Sequence, residues 1–150
     1  MTEEVYAGKG LGSRELVITP EMLDTYYEGL EIDRSWYTEE STVVPSMVLT
    51  AADGEFSGAR LENAFGNLWI RQEWDMRVPA VVNQAYKVTS QILDVYDWRE
   101  RKVVKQEVVV WASDGEVMAR GTHHQSYMVK QSSGMVKLRD PKAKEGVRRF

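Results

Sequence analysis

The pattern of hydrophobic and polar positions predicts one amphipathic helix near the start of the chain, over about residues 20–30. Thr19 supplies a capping hydroxyl before Pro20, a residue favoured at the first helical position. Gly29 is a stop signal near the end. The apolar side chains recur at spacings of three and four, which gives one apolar face: Met22, Leu23, Tyr26, Tyr27 and Leu30.

The second half of the chain changes to long runs of β-branched and aromatic residues, which predict strands. Ser113-Asp114-Gly115-Glu116 is a hairpin signal, and short turns between the strands favour an antiparallel meander. A fifth strand is expected within residues 5–17, where Gly8, Gly10 and Gly12 indicate bulges rather than a dinucleotide site. The four strands of the meander are expected over 67–78, 86–98, 103–111 and 117–129.

These elements predict an α+β domain in which the antiparallel sheet wraps around the helix at 20–30. Val43 to Leu49 is apolar but interrupted by Pro45, so a short helix or buried segment is expected there rather than a central strand. Strands of about ten residues exceed the usual five or six. They need a strongly bent sheet or a partner's sheet, which favours a dimer.

Composition places the chain among single-domain proteins. It has 150 residues, 43% of them hydrophobic, and no apolar run of the roughly 18 residues that a membrane span needs. The opening Met-Thr-Glu-Glu lacks the features of a secretory signal. There is no cysteine, which excludes disulfides and thiolate chemistry within the chain. We therefore expect a cytoplasmic protein without a membrane partner.

Charge argues against nucleic acid as the main partner, because the net charge is −4. Residues 1–40 hold ten acidic and three basic side chains, whereas residues 131–150 hold six basic and two acidic ones. We expect a single domain over residues 1–130, followed by a basic C-terminal tail over 131–150.

Several segments resemble the MaoC-like acyl dehydratase family, which has the hotdog fold. The resemblance implies a long antiparallel sheet around one central helix. It also implies a substrate that is an acyl thioester of coenzyme A or a carrier protein, with no further cofactor. The matching segments are Tyr6-Ala7-Gly8-Lys9, Ile18-Thr19-Pro20-Glu21-Met22, Val44-Pro45-Ser46-Met47-Val48, residues 73–79 and Asp114-Gly115-Glu116-Val117.

The chain departs from this family at its hydratase motif, an Asp and a His five residues apart with Asn-Pro between them. Residues 29–37, which follow the helix, contain neither His nor Asn-Pro. Asp33 or Glu31 could supply a carboxylate there. Hydration of an enoyl thioester needs a base for water and an acid for the α-carbon. We therefore expect this chain alone to hydrate crotonyl-type thioesters poorly.

The candidate catalytic residues are Asp33, Tyr37 and His123. His123 and His124 are the only histidines, and as neighbours on a strand they point to opposite faces. They therefore cannot jointly bind one metal, and no metal site is expected. The alternatives are two structural histidines, or one histidine acting as acid or base with Asp33.

Three functions remain open. The first is a hydratase/dehydratase, a lyase that acts as a homodimer or with a partner hotdog subunit. The second is a pocket-forming hotdog subunit without turnover of its own. The third is a hotdog acyl-CoA thioesterase, which needs only one carboxylate near the helix.

Overall fold

The computed structural model describes residues 5–33, 44–56 and 65–128. Tyr37 and the basic tail over 131–150 lie outside the described residues, so their predicted roles remain predictions. The elements are β1 (Gly10–Val17), α1 (Pro20–Leu30), a 3₁₀ helix that we call η1 (Ser46–Phe56), β2 (Phe65–Met76), β3 (Ala85–Trp98), β4 (Arg101–Trp111) and β5 (Val117–Met128).

The helix predicted over residues 20–30 is confirmed as α1. The Thr19 hydroxyl accepts a hydrogen bond from the Met22 amide at 3.3 Å, and Glu31 ends the helix in the left-handed conformation with φ 53°. However, the expectation that the sheet wraps around this helix is wrong. Tyr27 is its only buried side chain, and Leu30 is 56% exposed.

The central helix of the fold is η1. Leu49 and Ala52 are fully buried and belong to the same core as Val88, Val108 and Val110 of the sheet. The two helices differ in burial because they differ in their charged residues. α1 carries acidic side chains along its length and can bury only one stripe, whereas residues 44–52 contain no charged side chain. Around Pro45 the sequence predicts a short helix or a buried segment. The structure has a helix there, η1, and this helix is buried.

The five strands form one antiparallel sheet in the order β1-β3-β4-β5-β2. The predicted meander holds for β3, β4 and β5, but β2 pairs with β5 rather than with β3. The meander over four strands was therefore wrong. β3 and β4 are joined by a tight two-residue turn, Arg99-Glu100. The link between β2 and β3, residues 77–84, is longer and contains Pro79. This longer link lets the chain cross the sheet.

β1 and β2 are the two edges of the sheet. The predicted irregularity near the glycines of β1 is confirmed, since the register shifts between Gly10 and Gly12 and Gly12 has φ 88°. Strands β2 to β5 have 11 to 14 residues each, as expected from their long apolar runs. None of the helices in the described residues is long and apolar enough to cross a membrane.

Candidate functional site

A row of polar side chains crosses the inner face of the sheet beneath η1. In the strand register His123 of β5 lies opposite Gln106 of β4 on one side and Gln72 of β2 on the other. Further along the same face the sheet is apolar, with Val108 opposite Gly121 and Val110 opposite Ala119. Polar groups inside an otherwise apolar sheet need partners or a function.

Asp53 reaches this row from η1. Its Oδ1 lies 3.1 Å from Nδ1 of His123, and its Oδ2 accepts a 2.8 Å hydrogen bond from Nε2 of Gln72. The side chains of His123 and Asp53 are 1% and 5% exposed. The structure thus buries a carboxylate against an imidazole, and a glutamine on the edge strand fixes the carboxylate.

The contact between Asp53 and His123 is close, but it is not a hydrogen bond. The two atoms are within ion-pair distance, yet no hydrogen bond joins them. Asp53 Oδ1 and both ring nitrogens of His123 are buried and lack a hydrogen-bond partner among the described residues. Leaving such groups unpaired costs about 1–3 kcal/mol each. Catalytic hydrogen bonds are often misaligned until substrate binds, so the geometry fits an acid–base pair.

Trp69 covers the imidazole. The two rings are stacked, with centroids 5.3 Å apart and planes 4° apart. In the strand register Trp69 lies opposite Gln125, and the register shifts between Trp69 and Arg71. A bulge re-aims side chains, and here the indole rests on His123. Trp69 itself is half-exposed, so it lies between the buried imidazole and solvent.

The floor of the site beside His123 is held in place by hydrogen bonds. Gln106 Nε2 donates to Ser90 Oγ at 2.9 Å, and Ser90 Oγ donates to the Glu107 carbonyl oxygen at 2.7 Å. Both side chains are buried. These hydrogen bonds link β3 to β4. Asp53 and His123, in contrast, keep polar atoms that are available to bind a ligand.

His124 lies on the opposite face of the sheet, as its place next to His123 predicted. Its Nδ1 is 2.9 Å from the hydroxyl oxygen of Tyr96. Burial lowers the pKa of His124 from its usual value, and the nearby cations Lys105 and Arg71 lower the pKa further. Among residues 5–33, 44–56 and 65–128 no cluster of His, Asp and Glu could hold a metal ion.

The outer face also carries a shallow groove of about 500 Å³. Its charged side chains pair with each other, since Arg120 Nη1 lies 2.8 Å from Glu107 Oε2. The indole N–H of Trp111, which lines the groove, also has a hydrogen-bond partner, because Nε1 donates to Thr89 Oγ1 at 2.8 Å. We therefore place the candidate site in the interior, where unpaired polar atoms remain, and not in this outer groove.

The structure separates the residues that the sequence put forward. His123 lies in the interior row, whereas Asp33 is exposed, three residues beyond the end of α1. The carboxylate beside His123 is Asp53, which the sequence analysis did not single out. The available signal was spacing: Asp53 follows Leu49 by four residues and precedes Phe56 by three, so it occupies a core position on a helix.

No protein-family model matches the sequence, and no curated protein matches it. Solved structures do share the fold. The monoamine oxidase regulatory protein from Archaeoglobus fulgidus is 11% identical with a TM-score of 0.68, over 85% of this chain and 93% of that one. The 3R-hydroxyacyl-ACP dehydratase complex HadBC from Mycobacterium tuberculosis is 12% identical with a TM-score of 0.69, over 84% and 99%.

A MaoC-like dehydratase from Rhodospirillum rubrum is 13% identical with a TM-score of 0.62, over 85% of this chain and 96% of that chain. The resemblance to MaoC-like proteins is therefore confirmed at the level of the fold. The chain is a hotdog domain, with one antiparallel sheet around a central helix.

Proposed function

We propose that this chain binds acyl thioesters inside its hotdog sheet and catalyses the addition of water to an enoyl thioester, or the reverse dehydration. The observation that carries the proposal is the buried pair of Asp53 and His123, 3.1 Å apart. A carboxylate beside an imidazole can supply the base and the acid that this chemistry needs. The proposal therefore replaces the expectation of poor hydration, which rested on residues 29–37 alone. Two of the three similar structures are named dehydratases, which supports the same reaction class.

The proposed reaction needs only these two groups and water. The imidazole of His123 takes a proton as the oxygen of water bonds to the β-carbon of the substrate. The carboxylate of Asp53 stabilises the imidazolium that forms, and the imidazolium then gives a proton to the α-carbon. One O–H bond of water and the π bond between the α- and β-carbons are broken, and one C–O and one C–H bond are formed, so the reaction balances without an oxidant or a metal.

Apolar clusters on both sides of the polar row support an acyl substrate. One cluster contains Val108 and Val110, and the other is formed by Ile92, Val104 and Tyr127. A hydrocarbon chain gains free energy by leaving water for such surfaces. Because His123 is almost fully buried beneath Trp69, the proposed route to the imidazole requires the indole to move aside.

The proposed enzyme acts as a homodimer or with a partner hotdog subunit. β2 is a 12-residue edge strand, and Leu68, Trp69 and Ile70 on it are exposed. The unpaired backbone of an edge strand is a template for pairing with another strand, and exposed apolar side chains beside it favour such pairing. The Mycobacterium tuberculosis dehydratase of the same fold is named as a complex, which supports such an assembly.

The test is hydration of crotonyl-CoA by the wild type and by Asp53→Asn, which keeps the shape of the side chain and removes its charge. We expect a loss of about 10²-fold or more in kcat/KM. Asp97→Asn is the matched control, because Asp97 is exposed at the far end of β3. If Asp33→Asn lowers kcat/KM and Asp53→Asn does not, the catalytic carboxylate is Asp33 in the turn after α1, and the proposal is wrong.

The second candidate is a pocket-forming subunit without turnover. The absence of the family's Asp/His motif from residues 29–37 favours it. Binding of acyl-CoA without hydration, alone or with a partner subunit, would support this alternative. Release of free coenzyme A that depends on Asp53 would instead identify a thioesterase, since Asp53 is a carboxylate on the central helix.

A further inference from the structure

Trp74 of β2 has an unusual neighbour across the strand pair. It lies opposite Gly121 of β5, and its indole ring occupies the space where any other residue would carry a side chain. A Cβ atom built on Gly121 would lie 2.6 Å from Cη2 and Cζ2 of the indole, closer than real Cβ atoms come. Glycine at this position therefore lets the indole lie flat against the sheet.

The indole N–H of Trp74 lacks a hydrogen-bond partner within the described part of the chain. Nε1 is buried, and no described residue accepts its hydrogen bond. By contrast, the indole N–H of Trp111 donates a hydrogen bond to Thr89 Oγ1 at 2.8 Å on the outer face. Buried donors are almost always paired, so an unpaired one calls for an explanation.

The register places Trp74 next to the polar row of the candidate site. Trp74 follows Gln72 by two residues on β2, and Gly121 precedes His123 by two on β5, so Trp74 and His123 are diagonal neighbours on the inner face. Diagonal neighbours across antiparallel strands remain within reach of aromatic side chains. Three kinds of unpaired polar atoms therefore occur in one region: a carboxylate oxygen, two imidazole nitrogens and an indole N–H.

We propose that the N–H of Trp74 binds the carbonyl oxygen of the acyl thioester. An indole N–H can only donate, so its partner must be an acceptor. Trp74 and Met76 pack against the apolar core, which favours a neutral acceptor such as a carbonyl over an anion. In an enoyl thioester only the α-carbon separates the carbonyl from the carbon that receives water, so both ends can contact diagonal neighbours.

This inference rests on the proposed function and adds its third component. His123 moves the proton and Asp53 stabilises its imidazolium, while Trp74 stabilises the partial negative charge that develops on the carbonyl oxygen as water adds. Gly121 is then a positioning residue, since it acts only by making room for the indole. No bond to Trp74 forms or breaks.

The test uses the indole N–H resonances of ¹⁵N-labelled protein, of which there are five because the chain has five tryptophans. The probe is butyryl-CoA, a saturated thioester that cannot be hydrated. Trp74→Phe assigns one resonance by its loss. Should that variant fail to fold, Trp→Phe at the other four positions assigns it by elimination. We expect this resonance to move downfield when butyryl-CoA binds.

A kinetic comparison accompanies the spectra. We expect Trp74→Phe and Gly121→Ala to lower kcat/KM for crotonyl-CoA by about 10²-fold, the usual effect of losing one such donor. Trp111→Phe, whose N–H bonds Thr89 on the other face, is expected to retain wild-type activity. If other indole resonances shift while that of Trp74 does not, the donor role is wrong and the proposed function stands. If butyryl-CoA does not bind at all, both are wrong.

Discussion

His123 and His124 show how much the environment of a residue changes between the two faces of one strand. His123 is buried beside a carboxylate on the inner face. His124 lies beside Tyr96 on the outer face, where burial and the charges of Lys105 and Arg71 lower its pKa. Because these are the only histidines, each can be followed in a titration.

We predict that His124 titrates below the usual histidine pKa and that Lys105→Gln raises its pKa. Protonation is then less favourable in the folded protein than in the unfolded chain. His124 therefore reduces stability as the pH falls through about 6.5, and this loss levels off below the folded pKa. NMR titration of both imidazoles measures the pKa of His124. Denaturant unfolding of the wild type and His124→Asn at several pH values measures the effect on stability. A His124 midpoint that Lys105→Gln does not change would contradict the electrostatic explanation.

Single residues also show what the sequence could predict of the site. His123 was a candidate because only two histidines exist and alternation separates them onto two faces. Asp53 was missed because its partner is 70 positions away in sequence, and only the fold brings the two together. Trp74 and Gly121 look ordinary in the sequence, since their close approach depends on the register between β2 and β5.

At the level of elements, the two helices have exchanged the roles that their sequences suggested. α1 has a clear N-cap and a regular apolar stripe, which report how readily a helix forms. η1 has no such signals, but its residues are the more apolar and they fill the sheet. Local patterns thus predicted where α1 begins and ends but not the bounds of η1, and the burial of each helix depended on which one the sheet enclosed.

We predict that Leu49→Ala on η1 lowers the free energy of unfolding by about 2–5 kcal/mol, because Leu49 is fully buried. The matched change Leu30→Ala on α1 is expected to cost less than about 0.5 kcal/mol, since Leu30 is mostly exposed. Urea unfolding of both variants measures the difference. Equal losses would mean that α1 contributes as much to the central packing as η1 does, which would contradict the prediction.

The strands could be predicted better than their order. Alternating apolar runs located β3, β4 and β5 and the tight turns between them. The crossing of β2 to the far edge left no local signal except the absence of a tight turn in residues 77–84. Topology depends on contacts that are distant in sequence, so a pattern read over a few residues does not fix it.

At the scale of the whole molecule, the exposed edge strand β2 predicts an assembly. We expect light scattering to give a mass of about twice 17.2 kDa or more at micromolar concentration. Leu68→Lys combined with Ile70→Lys places charges on the exposed apolar edge and is expected to shift the protein towards the monomer. Leu30→Lys is the control, because Leu30 is equally exposed but lies on α1. A wild-type mass near 17 kDa would contradict the prediction.

In the proposed function the chemistry takes place in the interior of this hotdog domain and not on its surface. The most direct test is kcat/KM for hydration of crotonyl-CoA by the wild type, His123→Asn and His124→Asn. The two substitutions are identical and adjacent, but one lies beside Asp53 and the other faces outward. We predict a loss of about 10²–10⁴-fold for His123→Asn and almost none for His124→Asn. A wild type that does not hydrate the substrate, or equal losses in both variants, would contradict the account.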